Sequence, residues 1–115
     1  MKFEKNIILS IETTFEGGSL ALYKGETEID SWSGTKQVSK AEDILEQISE
    51  LLKKNKIEKK HLQLIAVSDG SGSSTGAKIG LAIAKGLGDA LAVKVVKLSV
   101  SESQLFKAGT KTNII

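Results

Sequence analysis

The chain has 115 residues, 40% hydrophobic and 26% charged, the composition of one globular domain and not of a disordered segment. Lysine and arginine exceed aspartate and glutamate by only 16 to 14, and a net charge of +2 does not by itself imply a polyanionic partner. The absence of cysteine and the single histidine, His61, exclude disulfides, thiolate catalysis and multi-histidine metal sites, while 4% aromatics disfavour a base-stacking surface.

No apolar run approaches the roughly 20 residues that span a bilayer. Residues 1–5 lead straight into a strand-like segment without the regions of a signal peptide. A cytoplasmic protein without membrane contact is the expectation.

Ile7, Ile8, Leu9, Ser10 and Ile11 form a short, β-branched, nearly continuous apolar run, the pattern of a strand buried on both faces. Gly17-Gly18 marks a turn, and residues 19–23 read as a second strand. After Lys24-Gly25-Glu26, residues 27–32 alternate as a more exposed third strand does. Such short connections predict an antiparallel meander of three strands.

Ser39-Lys40-Ala41-Glu42 has the form of a capping box, in which Ser39 accepts from the first turn and Glu42 reaches back. Over residues 39–55, Ala41, Ile44, Leu45, Ile48, Leu51 and Leu52 recur at helical period. Acidic residues lead this helix and lysines close it, as the helix dipole favours. Residues 62–67 predict a fourth strand, 75–91 a second helix and 94–98 a fifth strand. Ser99-Val100-Ser101-Glu102 repeats the capping pattern and predicts a third helix through Lys107, stopped by Gly109.

The expected order is β-β-β-α-β-α-β-α: an α/β domain with one five-stranded mixed sheet, antiparallel in the meander and parallel afterwards, with helices on its faces. That is the layout of one lobe of the actin-like, ribonuclease H-like fold.

Residues 69–80 are the most unusual segment. Gly70, Gly72, Ser73, Thr75 and Gly76 stand between a strand and a helix, where free amides and the dipole favour an anion. The segment nevertheless matches neither the P-loop, since Ala77 separates Gly76 from Lys78, nor the dinucleotide fingerprint, which needs glycine at Thr75. A tight turn with a close-packed helix start is the plainer reading. In the following helix, Gly72, Gly76, Gly80, Ala84 and Gly88 recur every four residues as a smooth ridge, flanked by Ile79, Ile83, Leu87 and Leu91. Each interior glycine costs about 1 kcal/mol relative to alanine, so close approach of another element is implied. That element is either the protein's own sheet or a helix from a partner chain.

Glu12, at the end of the first strand near Thr13 and Thr14, could hold a metal-bound water, but a lone acid is more simply a solvated strand end. His61 lies in a basic loop without a second ligand. Lysines 53, 54, 56, 59 and 60 could reach RNA phosphates, yet a solvated helix end accounts for them at lower cost, so no direct nucleic-acid contact is expected.

Ile8-Leu9-Ser10-Ile11-Glu12-Thr13-Thr14, followed by Ser19-Leu20-Ala21-Leu22, resembles the start of TsaB proteins, I-L-A-I-D-T-S/T then S-V-A-L. Residues 70–80, GSGSSTGAKIG, are similar to that family's G-P-G-S-F-T-G-[VL]-R-I-G, and residues 96–102 to its V-x-[VG]-V-S-S-L-E. Ser71 and Ser74 replace the family's proline and phenylalanine, removing a stiffener and an apolar anchor.

The resemblance implies a non-catalytic subunit that assists the related enzyme TsaD in making threonylcarbamoyladenosine on transfer RNA. TsaD's metal-binding histidines have no counterpart here, where Lys40, Ala41 and Ile44 stand. On this reading residues 1–115 are a single first lobe with the second lobe absent. The contact face for a TsaD-like partner, or for a second copy in a homodimer, comprises Ile44, Ile48 and Leu52 with Gly76, Gly80, Ile83 and Leu87. No cofactor is expected; ATP and magnesium would need a second lobe or a partner to complete a cleft. The rival reading is a remnant nucleotide-binding lobe of an actin-like ATPase or sugar kinase.

Overall fold

A computed structural model describes residues 6–13, 17–35, 41–68 and 75–98, with side-chain surroundings from residue 78 onward in the last segment. Its elements are β1 (Ile7–Glu12), β2 (Ser19–Lys24), β3 (Thr27–Ser33), α1 (Ala41–Lys54), a 3-10 turn (Lys59–His61), β4 (Leu62–Ser68), α2 (Thr75–Leu91) and β5 (Lys94–Leu98). These match the expected elements to within two residues at each boundary. The capping box at Ser39, the glycine loop at 70–74 and the third helix lie outside the described residues.

The five strands form one sheet in the order β3-β2-β1-β4-β5. β1 pairs antiparallel with β2, placing Leu9 opposite Leu22 and Ile11 opposite Leu20. β2 pairs antiparallel with β3, while β4 runs parallel to both β1 and β5. A two-residue turn joins β2 to β3 through Gly25 at φ +64°, a conformation that suits glycine, and the Gly25 amide donates to the Asn6 carbonyl at 2.8 Å.

Both described helices pack on one face of the sheet, so cover of both faces by helices is not what the described residues show. Leu9, Ile11, Leu20, Leu22, Ile65 and Val67 point into a core closed by Ile44, Ile48, Leu51 and Leu52 of α1 and by Ile83 and Ala84 of α2. Strand alternation sends their neighbours to the other face, where Ala66, Val96 and Leu98 form a smaller buried cluster. This two-sided burial explains why β1 reads as a nearly continuous apolar run. Among the described residues, no helix is long and apolar enough to cross a membrane.

Both helices end in the same way. Beyond α1, the Ile57 amide donates to the Leu52 carbonyl and the Lys56 amide to the Lys53 carbonyl, with Lys56 at φ +59°. Beyond α2, the Val93 amide donates to the Gly88 carbonyl, with Ala92 at φ +58°. These are left-handed helix stops built without glycine.

Candidate functional site

The α1–α2 layer is where the expected contact residues fall, and the structure redistributes them. Ile44, Ile48 and Leu52 are at most 2% exposed, and Ile83 is 6% exposed; all belong to the lobe's own core. A Cβ at Gly80 would overlap the Thr13 hydroxyl and lie 3.4 Å from Val67 Cγ2. At Gly88 it would come 2.5 Å from Val95 Cγ2 and 2.9 Å from the Val93 carbonyl oxygen. The ridge of Gly80, Ala84 and Gly88 therefore seats α2 on its own sheet. Leu87 is half-buried, and Gly76 lies in the first turn of α2. As free contact surface, the buried members of the set are corrected by this packing.

The exposed face lies one helical step away. Ala82 and Gly86 are exposed, Ile79 is half-buried, and a Cβ on Gly86 would meet nothing within 4 Å. On α1, Leu45 is 41% exposed. Lys54 pairs with Asp30 of β3 at 3.5 Å, which fixes the flank of α1 that faces the sheet edge. At about 100° per residue, Leu45 lies on the opposite flank, toward α2. Leu81 and Lys85 line a groove against β5, so Ile79 and Gly86 occupy the flank of α2 turned toward α1, with exposed Ala82 at its outer edge. Leu45 and Gly86 thus lie on the facing flanks of the two helices, and among the described residues a Gly86 side chain would meet no neighbour there.

The end of α1 is tied down electrostatically. Asp30 accepts from Asn55 Nδ2 at 2.8 Å and from the Ser31 amide at 2.8 Å. The Asn55 bond first, then that of Ser31, then nearby Lys54, hold the Asp30 carboxyl below the usual carboxylate range. Asn55 Nδ2 also donates to the Leu51 carbonyl at 2.8 Å, linking β3 to the last turn of α1.

The second candidate region is the C-terminal edge of the parallel strands. Ile11 stands beside Val67, so Glu12 and Ser68 emerge next to one another. Thr13 follows, 7% exposed, and Ser68 is 2% exposed. Each of these three already has an interaction partner in the chain. Thr75 and Gly76 open α2, while Gly70, Gly72 and Ser73 of the expected phosphate loop lie outside the described residues. Among the described residues, no group of three His, Cys, Asp or Glu side chains converges as a metal site would require.

This fold is shared with known proteins. The family model described as TsaD, tRNA N6-adenosine threonylcarbamoyltransferase, matches residues 37–114, well over half of the chain. The tRNA threonylcarbamoyladenosine biosynthesis protein TsaB of Buchnera aphidicola subsp. Acyrthosiphon pisum (strain APS) is 36% identical over 94 residues. The chain belongs to this family and, within it, is TsaB-like. The match to the Buchnera protein covers 82% of this chain and 42% of that protein. Two solved structures, each 25% identical, agree: YeaZ from Pseudomonas aeruginosa superposes with a TM-score of 0.69, covering 82% of this chain and 44% of that one. An uncharacterised protein with similarity to peptidase YeaZ from Pseudomonas aeruginosa superposes at 0.72, covering 82% and 43%. This TsaB-like chain thus spans less than half the length of the relatives it matches.

Sequence reasoning had no means of singling out Gly86. It stands off the four-residue ridge, and its significance is the empty space beside it, which only packing reveals.

Proposed function

We propose that this TsaB-like chain is a non-catalytic subunit that docks on a TsaD-like transferase, in the making of threonylcarbamoyladenosine on transfer RNA, through the strip formed by Leu45, Ile79, Ala82 and Gly86. The observation that carries the reading is Gly86. A glycine in the middle of an exposed helix costs about 1 kcal/mol relative to alanine, and among the described residues nothing occupies the space its missing side chain leaves. Close approach of a helix from another chain gives that cost a reason. The names of the relatives, a threonylcarbamoyladenosine biosynthesis protein and a threonylcarbamoyltransferase family, supply the partner's chemistry.

The test is light scattering of the chain mixed with a TsaD-like transferase from the same source. Wild type forms a complex; Gly86→Leu keeps its helical circular dichroism and loses the complex. A Gly86→Leu variant that still binds would remove the strip as the docking face, and a wild-type homodimer that excludes the transferase would assign the strip to self-pairing.

The rival, a nucleotide-binding lobe, draws on the adjacency of Glu12, Thr13 and Ser68 below the start of α2, the edge where ligands of open α/β sheets bind. A magnesium-dependent rise in melting temperature with ATP would favour it; an unchanged melting temperature at millimolar ATP would count against it.

A further inference from the structure

The opposite edge of the sheet carries a cleft that the docking proposal does not use. The N-terminal ends of β1 and β4 meet the C-terminal end of β2 there, since Ile7 pairs with both Lys24 and Leu62. The turn after α1 and the 3-10 turn return to the same edge. Together they enclose a cleft of about 390 Å³, and its polar lining is Lys24, Lys56, Lys60, His61 and Gln63. Ile7 and Ile57 complete it.

Every side chain in that polar set can donate, and none is a carboxylate. Among the described residues Lys24 and Lys56 have no ion pair, while Lys60 pairs loosely at 3.5 Å with Glu58, both side chains largely exposed. An exposed pair of this kind contributes little and exchanges readily. Gln63 Oε1 accepts from the Ile7 amide at 3.1 Å, which leaves its amide nitrogen as the group available to donate outward. The carbonyl end of α1 would repel an anion, but its last carbonyls are already taken: Leu51 and Leu52 by Asn55 and Ile57, Lys53 by Lys56. In a chain with a net charge of only +2, this is a local concentration of positive charge around a concave, partly apolar floor.

We propose that this cleft binds a phosphate of an RNA backbone. The choice of RNA as the bearer of that phosphate rests on the proposed role in transfer-RNA modification; the choice of a phosphate rests on the donor set. Three lysine point charges suit a phosphate, and binding by them follows the salt dependence of phosphate contacts.

The experiment is fluorescence anisotropy of labelled transfer RNA with the full chain, at several salt concentrations, with three proteins. These are wild type, Lys24→Glu/Lys60→Glu, and the control Lys85→Glu/Lys97→Glu, which changes net charge equally at exposed positions elsewhere. The cleft variant is expected to bind at least 10-fold more weakly and to lose about two units of salt slope, with the control near wild type. Equal weakening in both variants would overturn the site, as would the absence of wild-type binding at low salt. Competition by polyglutamate as effective as that by RNA would overturn the phosphate assignment. Displacement by AMP or inorganic phosphate at low concentration, without RNA binding, would overturn RNA as its source. Complex formation with the TsaD-like transferase, measured on the same variants, separates this outcome from failure of the docking proposal.

Discussion

Gly80 of α2 meets Thr13, one residue past the end of β1, so closely that a methyl group at position 80 would overlap the Thr13 hydroxyl. The contact joins the helix to the strand end, with Val67 of β4 alongside. Gly80→Ala gains helix propensity worth about 1 kcal/mol but forces an overlap worth roughly 1–3 kcal/mol, so a net loss of up to about 2 kcal/mol is expected in urea unfolding. Thr13→Ala removes the obstructing hydroxyl. The double variant is therefore expected to be more stable than the sum of the single effects by about 1 kcal/mol, a coupling that additive behaviour would refute.

Gly86 and Gly88 lie two residues apart and respond in opposite directions. Gly86→Ala places a methyl group in open space, so the isolated chain should gain about 0.5–1 kcal/mol, read as a higher denaturation midpoint with unchanged slope. Gly88→Ala drives a methyl against Val95 of β5 and the Val93 carbonyl just before that strand, and should lower stability by up to about 2 kcal/mol after the propensity gain. Equal responses at both positions would mean that α2 is not seated as described.

This pair marks the boundary of what was legible in the sequence. Periodicity placed β1 to β5 and both helices because each segment's apolar pattern is strong and its connections are short. The four-residue ridge was visible as well, but periodicity cannot say which of two neighbours a ridge meets. Packing shows Gly80, Ala84 and Gly88 on the sheet, and the strip through Gly86 outside. The same ambiguity displaced the contact set on α1: Ile44, Ile48 and Leu52 are the most regular apolar positions and so the core, while Leu45 beside them is exposed. The basic cleft was half legible: Lys56 and Lys60 stand out as able to reach RNA phosphates but read as a solvated helix end, because the third lysine could not be placed beside them. Lys24 is distant in sequence from Lys56 and Lys60 and joins them only through the antiparallel return of β2.

The two helix stops are a reserve of stability. Lys56 and Ala92 hold φ near +60°, which strains a residue with a Cβ by roughly 1–2 kcal/mol, whereas glycine adopts it freely at some cost in unfolded-state entropy. Ala92→Gly is expected to stabilise the lobe by about 0.5–1 kcal/mol. It touches neither proposed surface, so complex formation and RNA binding should be unchanged. Loss of stability in Ala92→Gly would show that the stop after α2 is not left-handed in solution.

Tyr23 is expected to make stability fall at alkaline pH. It is 2% exposed in β2, and its hydroxyl donates to Glu28 Oε1 at 3.3 Å. Burial first, and the negative charge of Glu28 second, push the phenol up from 10.0 to about 12. Between those values the unfolded chain releases the Tyr23 proton while the folded chain keeps it, so stability falls as pH rises. The contribution is fully present below pH 10 and is lost progressively toward pH 12, at a slope of up to about 1.4 kcal/mol per pH unit. Tyr23→Phe removes that titration. Unfolding free energies measured from pH 9 to 12 should therefore fall less steeply in Tyr23→Phe than in wild type, even if the variant is less stable at pH 8 through loss of the Glu28 hydrogen bond. Parallel curves would show that lysine deprotonation, and not the buried phenol, governs the alkaline transition.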